Sequence, residues 1–145
     1  MRALRIHEQH DAPEEARDFV ADRLREWNHR VMPRLEAEPL CLFLRDASGA
    51  IQGGLLGETR WHRLLVDILW IADAMRGKGY GSALLKRAES VAWDRGCRRA
   101  TLNTAEFQAR GFYEKHGYEV FATQEDMPPG SRQYFMSKTL RWSRD

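Results

Sequence analysis

Leu69-Trp70-Ile71, followed by Arg76-Gly77-Lys78-Gly79-Tyr80-Gly81 and an amphipathic run to Arg95, is the stretch that decides the fold of this chain. A strand-like run feeds a glycine turn, and the turn opens a helix. Between Gly79 and Arg95, Leu84, Leu85, Ala88, Val91 and Ala92 recur on one helical face, and Gly96 stands where the helix should stop. Glycines at the alternate positions 77, 79 and 81 strip side chains from the turn. Backbone N–H groups can then converge on an anion where the helix dipole also favours negative charge. Diphosphate is the natural ligand, with Arg76 and Lys78 adding charge-assisted bonds to its oxygens. A purely structural tight turn accounts for the same glycines. Two nucleotide loops are set aside. A P-loop needs Ser or Thr after Gly-Lys, and Gly79 follows Lys78. The dinucleotide fingerprint spaces its third glycine differently and wants an acid ending the next strand, which here ends Leu102-Asn103-Thr104.

Working outward, Ala3, Leu4 and Ile6 predict a first strand, and Asp11 with Pro13 pairs a helix cap with a first-turn proline. Ala16, Phe19, Val20, Leu24, Trp27 and Val31 define an amphipathic helix, which Pro33 and Pro39 end, making Met32 to Pro39 irregular. Strand-like runs follow at Leu40 to Arg45, Ala50 to Glu58 and Leu64 to Ile71, the first two joined by Asp46-Ala47-Ser48-Gly49. Gly53, Gly54 and Gly57 crowd the second run, where glycine marks a bulge or a close approach. After the long helix come a strand at Arg99 to Asn103, a short helix from Gln108 to His116, and strands at Tyr118 to Thr123 and Gln133 to Leu140. The order β-α-β-β-β-α-β-α-β-β is that of an α/β (α+β) domain with a mixed sheet and helical crossovers.

The 145 residues suit one domain spanning 1–145, and 43% hydrophobic with 30% charged residues suits a globular fold. Lys and Arg number 23 against 21 Asp and Glu, with no basic block able to track a phosphate backbone, which argues against nucleic acid as a partner. The charged start and the lack of any bilayer-length apolar run point to the cytoplasm and to no membrane. Cys41 and Cys97 lie far apart without metal-ligand spacing, so no metal is expected, and both read as reduced and at least half-buried.

A second segment adds specificity: Ala109-Arg110-Gly111-Phe112-Tyr113-Glu114-Lys115-His116-Gly117-Tyr118, an aromatic-rich short helix ending in glycine before a strand. Together the two segments resemble the GNAT superfamily of acetyl-CoA-dependent N-acetyltransferases. Arg76 to Gly81 matches that family's pyrophosphate loop, Phe112-Tyr113-Glu114-Lys115 matches its Phe-Tyr-Glu-Lys segment, and the residue-level match runs from Leu65 to Tyr118. The resemblance implies a mixed, mostly antiparallel, splayed sheet of about seven strands. It places the pantetheine arm between the strand ending at Ile71 and the strand Arg99 to Asn103, paired with the backbone of Leu69 and Ile71. Acetyl-CoA binding would then fall to Leu69, Trp70, Ile71, Arg76, Gly77, Lys78, Gly79, Tyr80, Gly81, Ser82 and Tyr113, with the Ile71 N–H a candidate oxyanion donor. The implied reaction is direct attack of a neutral primary amine on the thioester in a ternary complex.

Such a reaction needs proton handlers. By its place in the motif Tyr113 resembles the general acid to the departing sulfur; its structural alternative is a core tyrosine. Strand alternation puts Asp67 on one face with Leu69 and Ile71, which makes it the candidate base or a structural carboxylate. Glu106 and His62 are further candidates. Two positions depart from the family pattern: Glu106 replaces a common Asn, and Asp73 a common Pro. The acceptor reads as a small molecule, with Trp27, Asn28, Met32 to Pro39, Trp61, His62, Phe107 and Phe135 as candidate lining or simple packing. A non-catalytic acetyl-CoA sensor is the alternative function, a longer acyl-CoA is a third, and a homodimer is left open.

Overall fold

The chain divides into two compact units, Met1–Glu36 and Ala37–Asp145. The structure, a computed structural model, describes residues 3–32 and 36–142. In the first unit one helix, α1 (Glu14–Val31), starts one residue later than a first-turn proline would have it: Pro13 occupies the cap position, and no side chain caps the helix. Asp11 instead accepts from the Ala12 N–H at 2.8 Å and the Arg17 guanidinium at 2.5 Å. The strand expected at Ala3 to Ile6 is not formed, and Leu4 and Ile6 are fully exposed. Three apolar side chains spaced by Arg5 and followed by His7 and Glu8 bury too little area to offset ordering the backbone. The helix-ending Pro33 lies outside the described residues.

The second unit is a sheet of six strands in the order β1-β2-β3-β4-β6-β5. Its strands are β1 (Glu38–Arg45), β2 (Ile51–Arg60), β3 (Arg63–Ile71), β4 (Arg99–Ala105), β5 (Glu119–Glu125) and β6 (Arg132–Thr139). The expected seventh strand is the missing amino-terminal one. Only β3 and β4 run parallel, and the right length of crossover between them is supplied by α2 (Tyr80–Asp94). A short α3 (Arg110–Lys115) links β4 to β5. The turn between β2 and β3 is the two-residue loop Trp61-His62, both at positive φ, as a tight hairpin requires.

One face of the sheet is covered by α2, whose Leu84, Leu85, Ala88 and Ala92 are buried against Leu40, Leu55, Leu64 and Val66. Each such leucine contributes about 2 kcal/mol of burial. The helix stops where the sequence predicts: the N–H groups of Gly96 and Cys97 bond to the carbonyls of Trp93 and Ala92, a Schellman closure. Cys97 is buried as expected, whereas Cys41 is exposed, because on β1 the core face falls to Leu40 and Leu42. No helix among the described residues is long and apolar enough to cross a membrane.

Two irregularities shape the middle of the sheet. The pairing of β2 with β3 passes from Leu56↔Ile68 to Gly57↔Val66, so Asp67 is an extra residue on β3. At this bulge the backbones close in: a Cβ on Gly57 would stand 2.3 Å from the Leu65 carbonyl oxygen. The parallel pairing of β3 with β4 ends at Val66↔Leu102. Beyond it, Asp67 to Ile71 and Asn103 to Ala105 have no ladder between them, and the sheet splays there.

Candidate active site

The splay leaves the β4-facing backbone of β3 from Asp67 to Ile71 without a strand partner, on the stretch that should receive the pantetheine arm. Unpaired strand backbone is a ready template for an added extended chain. The sheet stays closed on the other side, where Leu69 and Ile71 pair with Leu55 and Gly53. Trp70 is half exposed, while Leu69 and Ile71 pack against the core.

At the end of β3 a single 3₁₀ turn, Asp73–Met75, leads into the glycine loop. Gly79 is the cap residue of α2 at φ 87°, a left-handed conformation that disfavours any Cβ, and it offers no side-chain cap. The first-turn N–H groups of α2 lack intrahelical acceptors by construction, so this end suits an anion. A Cβ placed on Gly77 or Gly79 would meet no atom within 4 Å, so the loop is open on that side. Arg76 is folded back, its Nε donating to the Ile71 carbonyl at 3.2 Å and lying 3.4 Å from Asp73. Lys78 is exposed. These features fit a diphosphate and an extended pantetheine arm.

The tyrosine helix is held against the same corner. A Cβ on Gly81 would stand 3.5 Å from Phe112 Cζ and 3.8 Å from Ile71 Cγ1, so the first turn of α2, the end of β3 and α3 converge. Entry to α3 is set by β4: the Gln108 side-chain oxygen accepts from the Ala105 N–H at 2.8 Å, and Thr104 Oγ1 accepts from the Ala109 N–H at 3.3 Å. Its exit is a second Schellman closure, with the Tyr118 and Gly117 N–H groups on the carbonyls of Tyr113 and Glu114. The Tyr113 and Tyr118 rings meet edge-on at 5.8 Å, and Phe112 flanks Tyr113 at 5.2 Å. Tyr113 is buried, and burial holds its phenol above the ordinary value, so it keeps its proton. Behind it the Tyr118 hydroxyl donates to Glu89 at 3.0 Å, and Lys138 bonds the other Glu89 oxygen at 2.6 Å. Burial, then the Glu89 charge, pushes the Tyr118 phenol far upward.

At the last paired rungs of β3 and β4, where the splay begins, lies a cleft of about 590 Å³ whose lining includes Leu65, Asp67, Thr101, Asn103 and Phe135. Asp67 therefore borders the gap, but not by alternation. Leu64 and Val66 face the core before the bulge, and Leu69 and Ile71 pack on it afterwards, so the core-facing parity changes at Asp67. Asp67 is exposed. Sequence reasoning missed Glu58, which lines the same cleft and pairs with Arg60 at 3.0 Å. It shares its face of β2 with Leu56, which also lines the cleft, and nothing in the sequence marked that face as part of a site.

The other candidate bases fall elsewhere. His62 sits in the hairpin turn, where its carbonyl accepts from the Arg98 N–H at 3.3 Å. Glu106 lies 4.0 Å from Arg132. Of the candidate acceptor residues, Phe135 and Pro39 line the cleft, whereas Trp61 and Phe107 are exposed outside it. Trp27 and Asn28 belong to the first unit, and Pro33 to Leu35 lie outside the described residues. Among the described residues no group of three or more His, Cys, Asp or Glu could hold a metal ion.

A splayed sheet, a glycine loop at an open helix end and a tyrosine helix at the same corner define an acyltransferase fold. A sequence model of the Acetyltransferase (GNAT) family matches residues 2–118, and the chain belongs to that family. It is 40% identical over 115 residues to the Blasticidin-S acetyltransferase of Streptomyces morookaense, covering 77% of this chain and 85% of that protein. Among solved structures, an acetyltransferase from Bacillus cereus superposes with TM-score 0.76 at 31% identity, over 92% of this chain and 98% of the other. A protein of Agrobacterium tumefaciens described as an acetyltransferase superposes with TM-score 0.89 at 27% identity, over 94% and 99%. The protein is accordingly an acyltransferase, of a family that uses acetyl-CoA.

Proposed function

We propose that this protein transfers the acetyl group of acetyl-CoA to a primary amine of a small molecule, by direct attack within a ternary complex. The observation that carries this reading is the early end of β3–β4 pairing at Val66↔Leu102, which leaves the backbone of Asp67 to Ile71 unpaired, with the acid-lined cleft at the point where the pairing ends. The co-substrate supplies an activated acetyl group as a thioester. Gly77 to Ser82 hold its diphosphate through backbone N–H groups and the α2 dipole, with Arg76 and Lys78 as cationic partners. Leu69, Trp70 and Ile71 offer strand backbone to the arm, and the Ile71 N–H stabilises charge on the carbonyl oxygen. Tyr80, Gly81 and Tyr113 complete the wall.

The acceptor amine enters through the cleft, where Asp67 takes its proton, directly or through water, and Glu58 adds negative charge for an ammonium group. The amine nitrogen bonds to the acetyl carbon, the carbon–sulfur bond breaks, and Tyr113 gives its proton to the sulfur. Burial keeps that phenol protonated, so its proton is available as negative charge develops on the departing sulfur. A small-molecule acceptor is supported by the relative that acts on Blasticidin S at 40% identity. The test is thiol release from acetyl-CoA across aminoglycosides, polyamines, amino acids, peptides and Blasticidin S. Turnover with small amines is expected; turnover with peptides alone would overturn the acceptor class.

A further inference from the structure

The first turn of α2 is tied to α3 by one polar contact that nothing in the acetyl transfer itself requires. Ser82 Oγ and His116 Nε2 lie 2.9 Å apart. Ser82 is the third residue of α2, inside the turn that faces the diphosphate, and His116 caps the helix that carries Tyr113. The Phe112 ring packs beside the imidazole, at 4.9 Å between centroids and tilted by 55°. Phe112 in turn packs toward Gly81, the residue before Ser82.

The chemistry of the ligand decides which partner donates. A diphosphate offers only acceptor oxygens, so a serine serving it has to spend its single proton on it. Its oxygen is then left to accept, and His116 Nε2, 2.9 Å away, is placed to donate to it. On this basis we propose that His116 is a positioning residue for acetyl-CoA, donating to Ser82 Oγ and thereby turning the serine hydroxyl proton toward the diphosphate. The proposal rests on the reading of the α2 turn as the diphosphate site. Burial lowers the affinity of the ring for a second proton, which favours a neutral imidazole, and the donor role requires that its one N–H be on Nε2. The charged groups around it are Glu89 and Lys86 of α2 and Lys138 of β6, and Glu89 and Lys138 neutralise each other at 2.6 Å.

The test is calorimetric binding of acetyl-CoA to full-length variants, with thermal unfolding recorded for each. His116→Phe keeps the ring contact with Phe112 and removes the donor; His116→Gln keeps an N–H near the Nε2 position. Ser82→Ala is expected to weaken binding about tenfold, as for one lost charge-assisted hydrogen bond. His116→Phe should weaken it by a similar factor, His116→Gln should recover most of the affinity, and the double variant Ser82→Ala, His116→Phe should be no weaker than Ser82→Ala alone. In steady state the loss should appear in KM for acetyl-CoA and not in kcat. Unchanged affinity in a folded His116→Phe, or losses that multiply in the double variant, would overturn the positioning role. Failure of the unaltered protein to bind acetyl-CoA would overturn the diphosphate reading beneath it as well.

Discussion

Replacing Gly79 by alanine separates the loop's conformational demand from its contact with ligand. Gly79 holds φ 87°, and a Cβ built there touches nothing within 4 Å, so the substitution meets backbone strain without a clash. Holding a non-glycine residue in this left-handed region costs about 1–2 kcal/mol. Gly49, in the β1–β2 turn, provides a matched control: its φ is 86°, and its Cβ would also meet nothing within 4 Å. Gly49→Ala and Gly79→Ala should therefore lose similar stability, about 2–4 °C in Tm per kcal/mol for a chain of this size. Their acetyl-CoA affinities should diverge. A methyl group on the loop displaces the diphosphate from converging N–H groups. Losing two charge-assisted bonds at about 1.5 kcal/mol each weakens binding roughly a hundredfold. Thermal unfolding and isothermal titration of both variants measure the two effects. Equal acetyl-CoA affinity for the two variants would refute the placement of the diphosphate at this turn.

The remaining predictions concern catalysis and the buried network. Tyr113→Phe should lower kcat about a hundredfold or more while leaving acetyl-CoA affinity nearly unchanged, as measured by turnover and titration. Burial raises the Tyr113 phenol above its ordinary value of 10.0, so turnover should climb with pH as the acceptor deprotonates and show no fall from Tyr113 until above that value. Asp67→Asn should depress kcat at neutral pH with partial recovery in alkali, whereas Glu58→Gln should mainly raise KM for cationic acceptors. The reverse pattern would assign the proton to Glu58. Glu89→Ala strands Lys138 and the Tyr118 hydroxyl, both partly or wholly buried, and should cost about 2–3 kcal/mol of stability in urea unfolding.

The elements of the second unit were legible because their patterns are strong and local. Leu84, Leu85, Ala88 and Ala92 at helical spacing with Gly96 beyond them leave little choice for α2, and they are its buried residues. The splay came from the glycine loop and the tyrosine segment, through the resemblance they support, whereas the order of elements came from the residue patterns along the chain. Ala3, Leu4 and Ile6 misled because strand-like spacing carries no information about whether a neighbouring strand is present. The face of Asp67 was misplaced for a related reason: a single extra residue reverses alternation, and the bulge depends on the pairing of Gly57 with Val66. Glu58 and the Ser82–His116 contact were invisible for want of register, the latter joining residues 34 apart.

The most direct test of the account is a stepwise thiol assay on the purified protein. Acetyl-CoA alone should bind without releasing thiol. Adding a small primary amine should release coenzyme A and form acetylated amine in equal amounts, with both products slowed together in Tyr113→Phe. Thiol released before any amine is added would contradict direct attack, and tight binding with no release for any amine would contradict acetyl transfer itself.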